Sequence, residues 1–234
     1  LRGIFMVYFL IFLIGAIFGS FFYVVGTRLP ENESLITPRS HCTHCNHTLK
    51  VLDLIPILSF IGLRGKCRYC HKKLGINYLV YEILTGVLFL ISYLKFGISY
   101  EFFVMIIISS LLVLIFITDF KYMIILDSPL IISLIFILGL KWYYFGIHEA
   151  LFALLNGLLA FLIMLFIRQI GNILFKKESL GGGDIKFSFI TGMILGFKFT
   201  MISLVLATFI ALPYAVATMV LKKDNEVPFG PFLV

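Results

Sequence analysis

Two acidic residues at the ends of apolar stretches are the residues of this sequence best suited to catalysis. Asp119 closes one apolar run and Asp184 opens another, and a carboxylate at the middle of a bilayer costs roughly 2.5 to 3.5 kcal/mol. Three glycines, Gly181, Gly182 and Gly183, directly precede Asp184, and they would let a second backbone, such as that of a substrate, approach the carboxylate. The alternative is a solvated glycine loop in which the aspartates only cap helix ends, a position that Asp favours.

Four cysteines form two C-x-x-C pairs in the long polar segment of the chain, Cys42 with Cys45 and Cys67 with Cys70. This spacing is typical of a tetrathiolate zinc site, and four cysteines would fill a tetrahedral shell, which favours a structural metal. Two disulfides or four unrelated thiols are the alternatives, but disulfides need an oxidising compartment. Nearby histidines also leave a mixed ligand set open: His41, His44, His47 and His71.

The composition predicts the elements that must position these groups. Hydrophobic residues make up 61% of the 234 residues and charged residues 13%, and the mean hydropathy is +1.07. A soluble domain of this size could not bury so much apolar surface, so we expect an all-α polytopic membrane protein. Seven spans are predicted, at Ile4–Val25, Tyr78–Leu94, Phe102–Thr118, Ile124–Leu140, Ala150–Ile167, Ile185–Phe197 and Met201–Leu221.

The chain is expected to divide into a first span (residues 1–26), a cysteine module (27–77) and a bundle of the remaining spans (78–234), with Val227–Val234 beginning an eighth span. Glycine pairs at small-xxx-small spacing predict close helix contacts within the first and sixth spans. Inside the module, the apolar segment Asp53–Phe60 is expected to lie along the membrane surface or to pack on the spans. The glycine pairs are Gly15 with Gly19, and Gly192 with Gly196.

The distribution of basic residues predicts the orientation in the membrane. If the N-terminus lies outside, fifteen of the nineteen Lys and Arg residues lie on the inner side, as the positive-inside rule requires. The cysteine module is then cytosolic, and the net charge of +7 reflects topology and not binding to nucleic acid. Asp119 and Asp184 fall on the same cytosolic side, where two adjacent carboxylates could act as acid and base to activate water against a peptide bond.

The aspartate segments resemble those of bacterial type IV prepilin peptidases, which belong to the GxGD class of intramembrane aspartic proteases. The resemblance is carried by Asp119 with Asp127 eight residues on, and by the run from Gly181 to Lys186. It extends over nearly the whole chain. The other similar segments are Gly19-Ser20-Phe21, Arg28-Leu29-Pro30, Arg39–Cys45, Asp53–Ser59, Arg64–Cys70, Tyr81–Gly86 and Pro228–Phe232.

The resemblance implies a bifunctional enzyme of the bacterial inner or plasma membrane, in a family that usually has eight spans. It would cut the leader from prepilins or pseudopilins after a glycine at the cytosolic face, and then N-methylate the new terminus with S-adenosylmethionine. Asp119 and Asp184 become the protease dyad, and the four cysteines become zinc ligands of the methylation module. A methylation role falls to Glu82 and Arg28, since a carboxylate such as Glu82 could hold or deprotonate the amine.

Two positions depart from the family's pattern. Leu126 stands where the family commonly has a proline, with Pro129 two residues after Asp127, so the start of this helix can be shifted and the role of Asp127 is left open. Tyr23 stands where the first span usually has an asparagine. The sequence shows no GxGxxG fingerprint of a Rossmann-type methyltransferase, so use of S-adenosylmethionine is inferred from the resemblance alone.

Two other classes of protein remain as alternatives. One is a zinc-containing membrane scaffold with inert aspartates, which gives the glycines before Asp184 no purpose. The other is an ion-coupled transporter that uses intramembrane acids as a relay, but this predicts carboxylates spread over the membrane depth. The system that supplies the substrate stays open between pilus assembly, protein secretion and competence. The residue usage is typical of an AT-rich genome, and this makes a competence system one candidate.

Overall fold

The computed structural model describes residues 2–42, 44–176 and 180–222 of the chain, and over these residues it is helical, with no strand and two isolated β-bridges. The predicted all-α class is confirmed. Short 3-10 turns lie at Leu29–Glu31 and Val51–Leu54. The α-helices are α1 (Arg2–Arg28), α2 (Leu58–Gly62), α3 (Asn77–Phe96), α4 (Tyr100–Tyr122), α5 (Asp127–Phe145), α6 (Ile147–Phe175), α7 (Gly182–Leu195) and α8 (Phe197–Lys222).

Seven of these helices correspond to the seven predicted spans, and the protein is a multi-pass membrane protein. Five helices (α1 and α3 to α6) are long and apolar enough to cross a bilayer. The part of α8 at Phe197–Pro213 is also apolar, and α7 has 14 residues, about 21 Å at 1.5 Å per residue. The expected eighth span and its motif Pro228–Phe232 lie outside the described residues.

Several helix ends differ from the prediction. Helix α4 continues past Asp119, with Met123 N–H donating to the Asp119 carbonyl at 3.1 Å, so the turn expected from Phe120 starts at Met123. Helix α5 begins at Asp127 and not at Ile124, because Pro129 lacks an N–H and is tolerated best in the first turn of a helix. Helix α6 also continues through part of the expected polar loop, since polar residues can prolong a helix beyond the apolar core.

The chain forms two compact units, Leu1–Ile117 and Thr118–Val234. In the first, α1 and α3 pack together closely at the predicted glycines. A Cβ on Gly19 would lie 2.5 Å from the carbonyl oxygen of Tyr81, and one on Gly15 would lie 2.8 Å from Cα of Gly86. This antiparallel contact confirms the prediction made from Gly15 and Gly19.

In the second unit, α7 packs on α6, and Gly192 allows the approach. A Cβ on Gly192 would lie 2.9 Å from Cα of Gly157 and from Cβ of Ala160. The same prediction is wrong for Gly196. That residue has φ of +79° and follows the end of α7, and a Cβ there would meet nothing within 4 Å. Its role is to end the helix.

Candidate active site and metal centre

The second unit brings Asp119 and Asp184 together, as the sequence predicts. Asp119 lies in the last turns of α4 and is 6% exposed, and Asp184 lies in the first turn of α7 and is 8% exposed. The two carboxylates are close enough for their charges to interact. Two adjacent buried carboxylates favour a state in which one holds a proton and the other does not. Such a pair can supply both an acid and a base.

The three glycines before Asp184 have different surroundings. A Cβ on Gly181, the residue that caps α7, would lie 2.9 Å from Oδ2 of Asp184, and a Cβ on Gly183 would lie 2.6 Å from Cβ of Ile125. At Gly182 the nearest atom would be Nη1 of Arg168, 3.9 Å away. Gly181 therefore leaves room for the carboxylate, Gly183 leaves room for the turn before α5, and Gly182 is exposed with Arg168 as its nearest neighbour.

An ion pair connects α5 with α7 beside the two aspartates. Nζ of Lys186 lies 2.6 Å and 2.8 Å from the two carboxylate oxygens of Asp127. The side chains are 50% and 58% exposed. Together with the contact between Gly183 and Ile125, this pair fixes the start of α5 against the first turn of α7. Lys186 belongs to the glycine–aspartate motif, but neither its partner nor the position of Arg168 follows from the sequence pattern.

The four cysteines form a cluster that fits a tetrahedral metal. The Sγ atoms of Cys42, Cys45, Cys67 and Cys70 all lie within 4.8 Å of one another, and the Cys42 and Cys70 sulfurs are 3.9 Å apart. Zinc–sulfur bonds of about 2.3 Å in a tetrahedron separate the sulfurs by about 3.8 Å. All four cysteines are free thiols. The predicted tetrathiolate set is therefore preformed.

The two cysteine pairs sit on matching turns. Cys42 N–H donates to the His47 carbonyl at 3.0 Å, and Cys67 N–H donates to the Lys72 carbonyl at 2.9 Å. The residue after each pair, Asn46 or His71, has a positive φ and donates its N–H back to the first cysteine of its pair. Isolated bridges between His41 and Thr48 and between Lys66 and Lys73 close the two turns. The module is an internal repeat, which the sequence analysis noticed only as spacing.

The thiols of this cluster do not ionise equally. Desolvation raises the pKa of Cys42, but hydrogen bonds from the backbone at His44 and Cys45 and from neighbouring thiols outweigh it and lower the pKa to about 7. At Cys45 a backbone hydrogen bond at His47 lowers the pKa, yet desolvation and the other thiols raise it to about 11. A divalent cation would offset half of the charge of four thiolates.

The histidines near the cysteines have other contacts. Nδ1 of His41 lies 3.0 Å from the Arg39 carbonyl oxygen, and the ring of His47 stacks on Tyr69 with centroids 3.6 Å apart. Among the residues that the structure describes, the group that can hold a metal consists of the four cysteines alone. The geometry thus favours the tetrathiolate set over a mixed one.

Arg28 and Glu82 connect the module to α1 and α3. Nη1 of Arg28, at the end of α1, donates to the carbonyl oxygens of Ser34 at 3.1 Å and Pro38 at 2.9 Å. Glu82, buried in α3, accepts the Ile57 N–H through Oε2 at 2.8 Å. Ile57 has φ of +63° and ψ of −52°, a strained conformation for a β-branched residue that surrounding contacts must maintain.

Comparisons with known proteins agree with these observations. The model of the bacterial peptidase A24 N-terminal domain matches residues 13–96, and that of the type IV leader peptidase family matches residues 106–216. The prepilin leader peptidase/N-methyltransferase of Bacillus subtilis (strain 168) is 34% identical over 232 residues, covering 95% of this chain and 88% of the relative.

Two further relatives have similar names. The prepilin leader peptidase/N-methyltransferase of Myxococcus xanthus (strain DK1622) is 34% identical over 180 residues, 74% of this chain and 52% of the relative. The type 4 prepilin-like proteins leader peptide-processing enzyme of Escherichia coli O78:H11 is 30% identical over 247 residues, 94% of this chain and 87% of the relative. No solved structure matches the chain.

Proposed function

Because this chain belongs to the type IV leader peptidase family, we propose that it removes leader peptides from type IV prepilins or pseudopilins and N-methylates the new N-terminus. The observation that carries the proposal is the buried carboxylate pair, Asp119 at the end of α4 and Asp184 at the start of α7. The distribution of basic charge supports a cytosolic location for both activities.

For the peptidase step we propose that the two aspartates share one proton. The ionised carboxylate takes a proton from water, whose oxygen attacks the carbonyl carbon of the scissile bond. The protonated carboxyl hydrogen-bonds the carbonyl oxygen, and a proton then passes to the leaving nitrogen as the C–N bond breaks. Gly182, which is exposed, is where a substrate backbone would approach, so Gly182→Ala should raise KM for the precursor.

For methylation we propose that the four cysteines hold a structural zinc ion, because four ligands leave no open position for chemistry. S-adenosylmethionine would supply the methyl group, which the neutral amine of the new N-terminus accepts. Glu82 and Arg28 support this activity by holding the module on α3 and α1 through the hydrogen bonds to Ile57, Ser34 and Pro38. They are positioning residues in this proposal.

We also propose a positioning role for Asp127. Its ion pair with Lys186 and the contact between Ile125 and Gly183 both join the start of α5 to the first turn of α7. Asp119 lies near the end of α4, a few residues before the turn that leads into α5, and Asp184 lies in α7 itself. The pair therefore supports the separation of the two catalytic carboxylates without touching the substrate.

Mass spectrometry of a prepilin-like precursor, incubated with the purified protein and S-adenosylmethionine in detergent, tests the proposed function. The wild type should remove the leader and then add the mass of one methyl group. Asp184→Asn keeps the shape of the side chain but removes its charge, and it should abolish cleavage. Glu149→Gln, which removes the same negative charge at an exposed residue in the first turn of α6, is the matched control. Cleavage by folded Asp184→Asn would show that the reaction does not need this carboxylate, and absence of cleavage by the folded wild type would favour the scaffold with inert aspartates.

A further inference from the structure

The first unit contains a cleft of about 530 Å³ beside the first cysteine turn, outside the proposed catalytic site. Its volume lies in the range of small-molecule sites. Its lining combines apolar side chains with two cations. Among the lining residues are Leu35, Ile36, Val51, Leu54, Arg39 and Lys50.

Both sides of the cleft are fastened to the ends of membrane helices. On one side, Arg28 at the end of α1 holds the loop at Ser34 and Pro38, which contains the lining residues Leu35 and Ile36. On the other side, Glu82 near the start of α3 holds Ile57, three residues after Leu54. Because α1 and α3 pack antiparallel, the end of α1 and the start of α3 lie at the same membrane face. The cleft therefore lies at that interface.

The surface around the cleft exposes many large apolar side chains, more than we expect for a surface in contact with water only. Ile36 is 81% exposed and Val51 is 75% exposed, and Leu52, Leu58 and Ile61 are each more than 60% exposed. Contiguous exposed patches of this kind mark sites of contact with membranes or other proteins. A patch that is fastened to two membrane spans at their ends faces the headgroup region of the bilayer.

The positive charge of the cleft favours binding of an anion. Arg39 and Lys50 are both exposed. The nearby acid, Asp53, does not neutralise them, because its carboxylate is 3% exposed and pairs with Arg68 at 2.7 Å. A positively charged leader peptide would be repelled by these two cations. An anionic phospholipid satisfies both features, since its phosphate suits the cations and its acyl chains suit the apolar rim.

We propose that this cleft binds the headgroup of an anionic phospholipid of the membrane leaflet into which α1 and α3 emerge. The phosphate lies between Arg39 and Lys50, and the first part of the acyl chains lies against Ile36 and Val51. Basic residues near an anionic membrane surface contribute about 1 kcal/mol each. Two of them correspond to a preference of roughly thirtyfold for an anionic over a zwitterionic lipid.

Quenching by brominated lipids tests the proposal without reference to enzyme activity. The single tryptophan, Trp142, is replaced by Phe, and a new tryptophan is introduced in the cleft by Ile36→Trp. Quenching of its fluorescence then measures contact between the cleft and a brominated lipid. The protein in detergent is titrated with brominated phosphatidylglycerol or brominated phosphatidylcholine. Arg39→Gln with Lys50→Gln removes the cations, and Arg39→Lys with Lys50→Arg retains them. Lys72→Gln with Lys73→Gln makes the same charge change at exposed residues of the second cysteine turn.

We expect brominated phosphatidylglycerol to quench half of the tryptophan fluorescence at a mole fraction roughly thirtyfold lower than brominated phosphatidylcholine does. The preference should disappear in the glutamine variant and persist in the charge-retaining variant and in the Lys72/Lys73 control. Equal quenching by both lipids, or loss of the preference in the control as well, would overturn the proposal. So would displacement by inorganic phosphate, compared with sodium chloride at equal ionic strength, because it would indicate a site for a soluble anion.

Discussion

Glu82 can contribute to methylation in two ways, as a base for the amine or as an anchor for the module. Its contacts favour the anchor, because Oε2 accepts the N–H of Ile57 at 2.8 Å and Ile57 is held in a strained conformation. Without this acceptor, the partly buried N–H of Ile57 would lose a hydrogen bond, at a cost of about 1 kcal/mol. The turn at Ile57 would then relax and the module would lose its attachment to α3.

The isosteric substitution Glu82→Gln separates the two roles. Glutamine can still accept the Ile57 N–H through Oε1, so we expect methylation to stay within a few-fold of wild type, whereas Glu82→Ala should lose most of it. A general base would contribute about 10²- to 10⁴-fold, and glutamine would lose this factor. Rates of methylation of a precleaved pilin peptide distinguish the outcomes. A glutamine variant as inactive as the alanine variant would assign Glu82 to the chemistry.

At the scale of helices, the ion pair between α5 and α7 is informative because it adds little stability. Both side chains are about half exposed, and pairs of this kind typically contribute only about 0 to 1 kcal/mol. A loss of activity on breaking it would therefore reflect position and not unfolding. Asp127 is also the first residue of α5, where a negative charge is favourable.

We expect Asp127→Asn and Lys186→Met each to lower kcat for leader cleavage about tenfold or more, since small displacements of catalytic groups cost this much, with little change in KM. The exchanged pair Asp127→Lys with Lys186→Asp should recover part of the activity. Recovery stays incomplete because a lysine at the start of α5 is unfavourable by about 0.3 to 1 kcal/mol. If the exchanged protein is as inactive as the single variants, Asp127 or Lys186 contacts the substrate instead.

The elements show what hydropathy can and cannot predict. It locates all seven apolar helices, because transfer of apolar residues into lipid dominates their energetics. It misplaces their ends, since polar residues such as Lys121 in α4 and Asn172 in α6 continue a helix after the apolar stretch stops. The pair of Asp127 and Lys186 could not be predicted, because the residues are 59 positions apart and many other charges could have been their partners.

At the scale of the whole molecule, the two compact units carry the two proposed activities separately. The cysteine cluster lies within Leu1–Ile117, and the two aspartates proposed as catalytic lie within Thr118–Val234. The motifs indicated the members of both sites, since carboxylates in an apolar chain and paired cysteines are conspicuous. The repeat of the cysteine turns and the different surroundings of the three glycines required the folded backbone.

Loss of the metal should therefore affect the two activities unequally. Cys42→Ser and Cys67→Ser remove equivalent ligands of the repeated turns, and we expect both to lower zinc content and to reduce methylation more than leader cleavage. Metal analysis of the purified variants measures their zinc content, and mass spectrometry of the cleaved and the methylated product measures the loss of each activity. Equal loss of both activities would mean that the module supports the fold of the entire chain.

The unequal lengths of α6 and α7 set the depth of the catalytic pair. Gly192 of α7 lies level with Gly157 of antiparallel α6, so the start of α7 at Gly182 lies level with the turn of α6 near Arg168. Helix α6 continues to Phe175, about 10 Å further at 1.5 Å per residue. Asp184 therefore lies about two helical turns short of the end of α6, and in the proposed reaction a precursor passes beside this extension of α6 to reach the carboxylate pair.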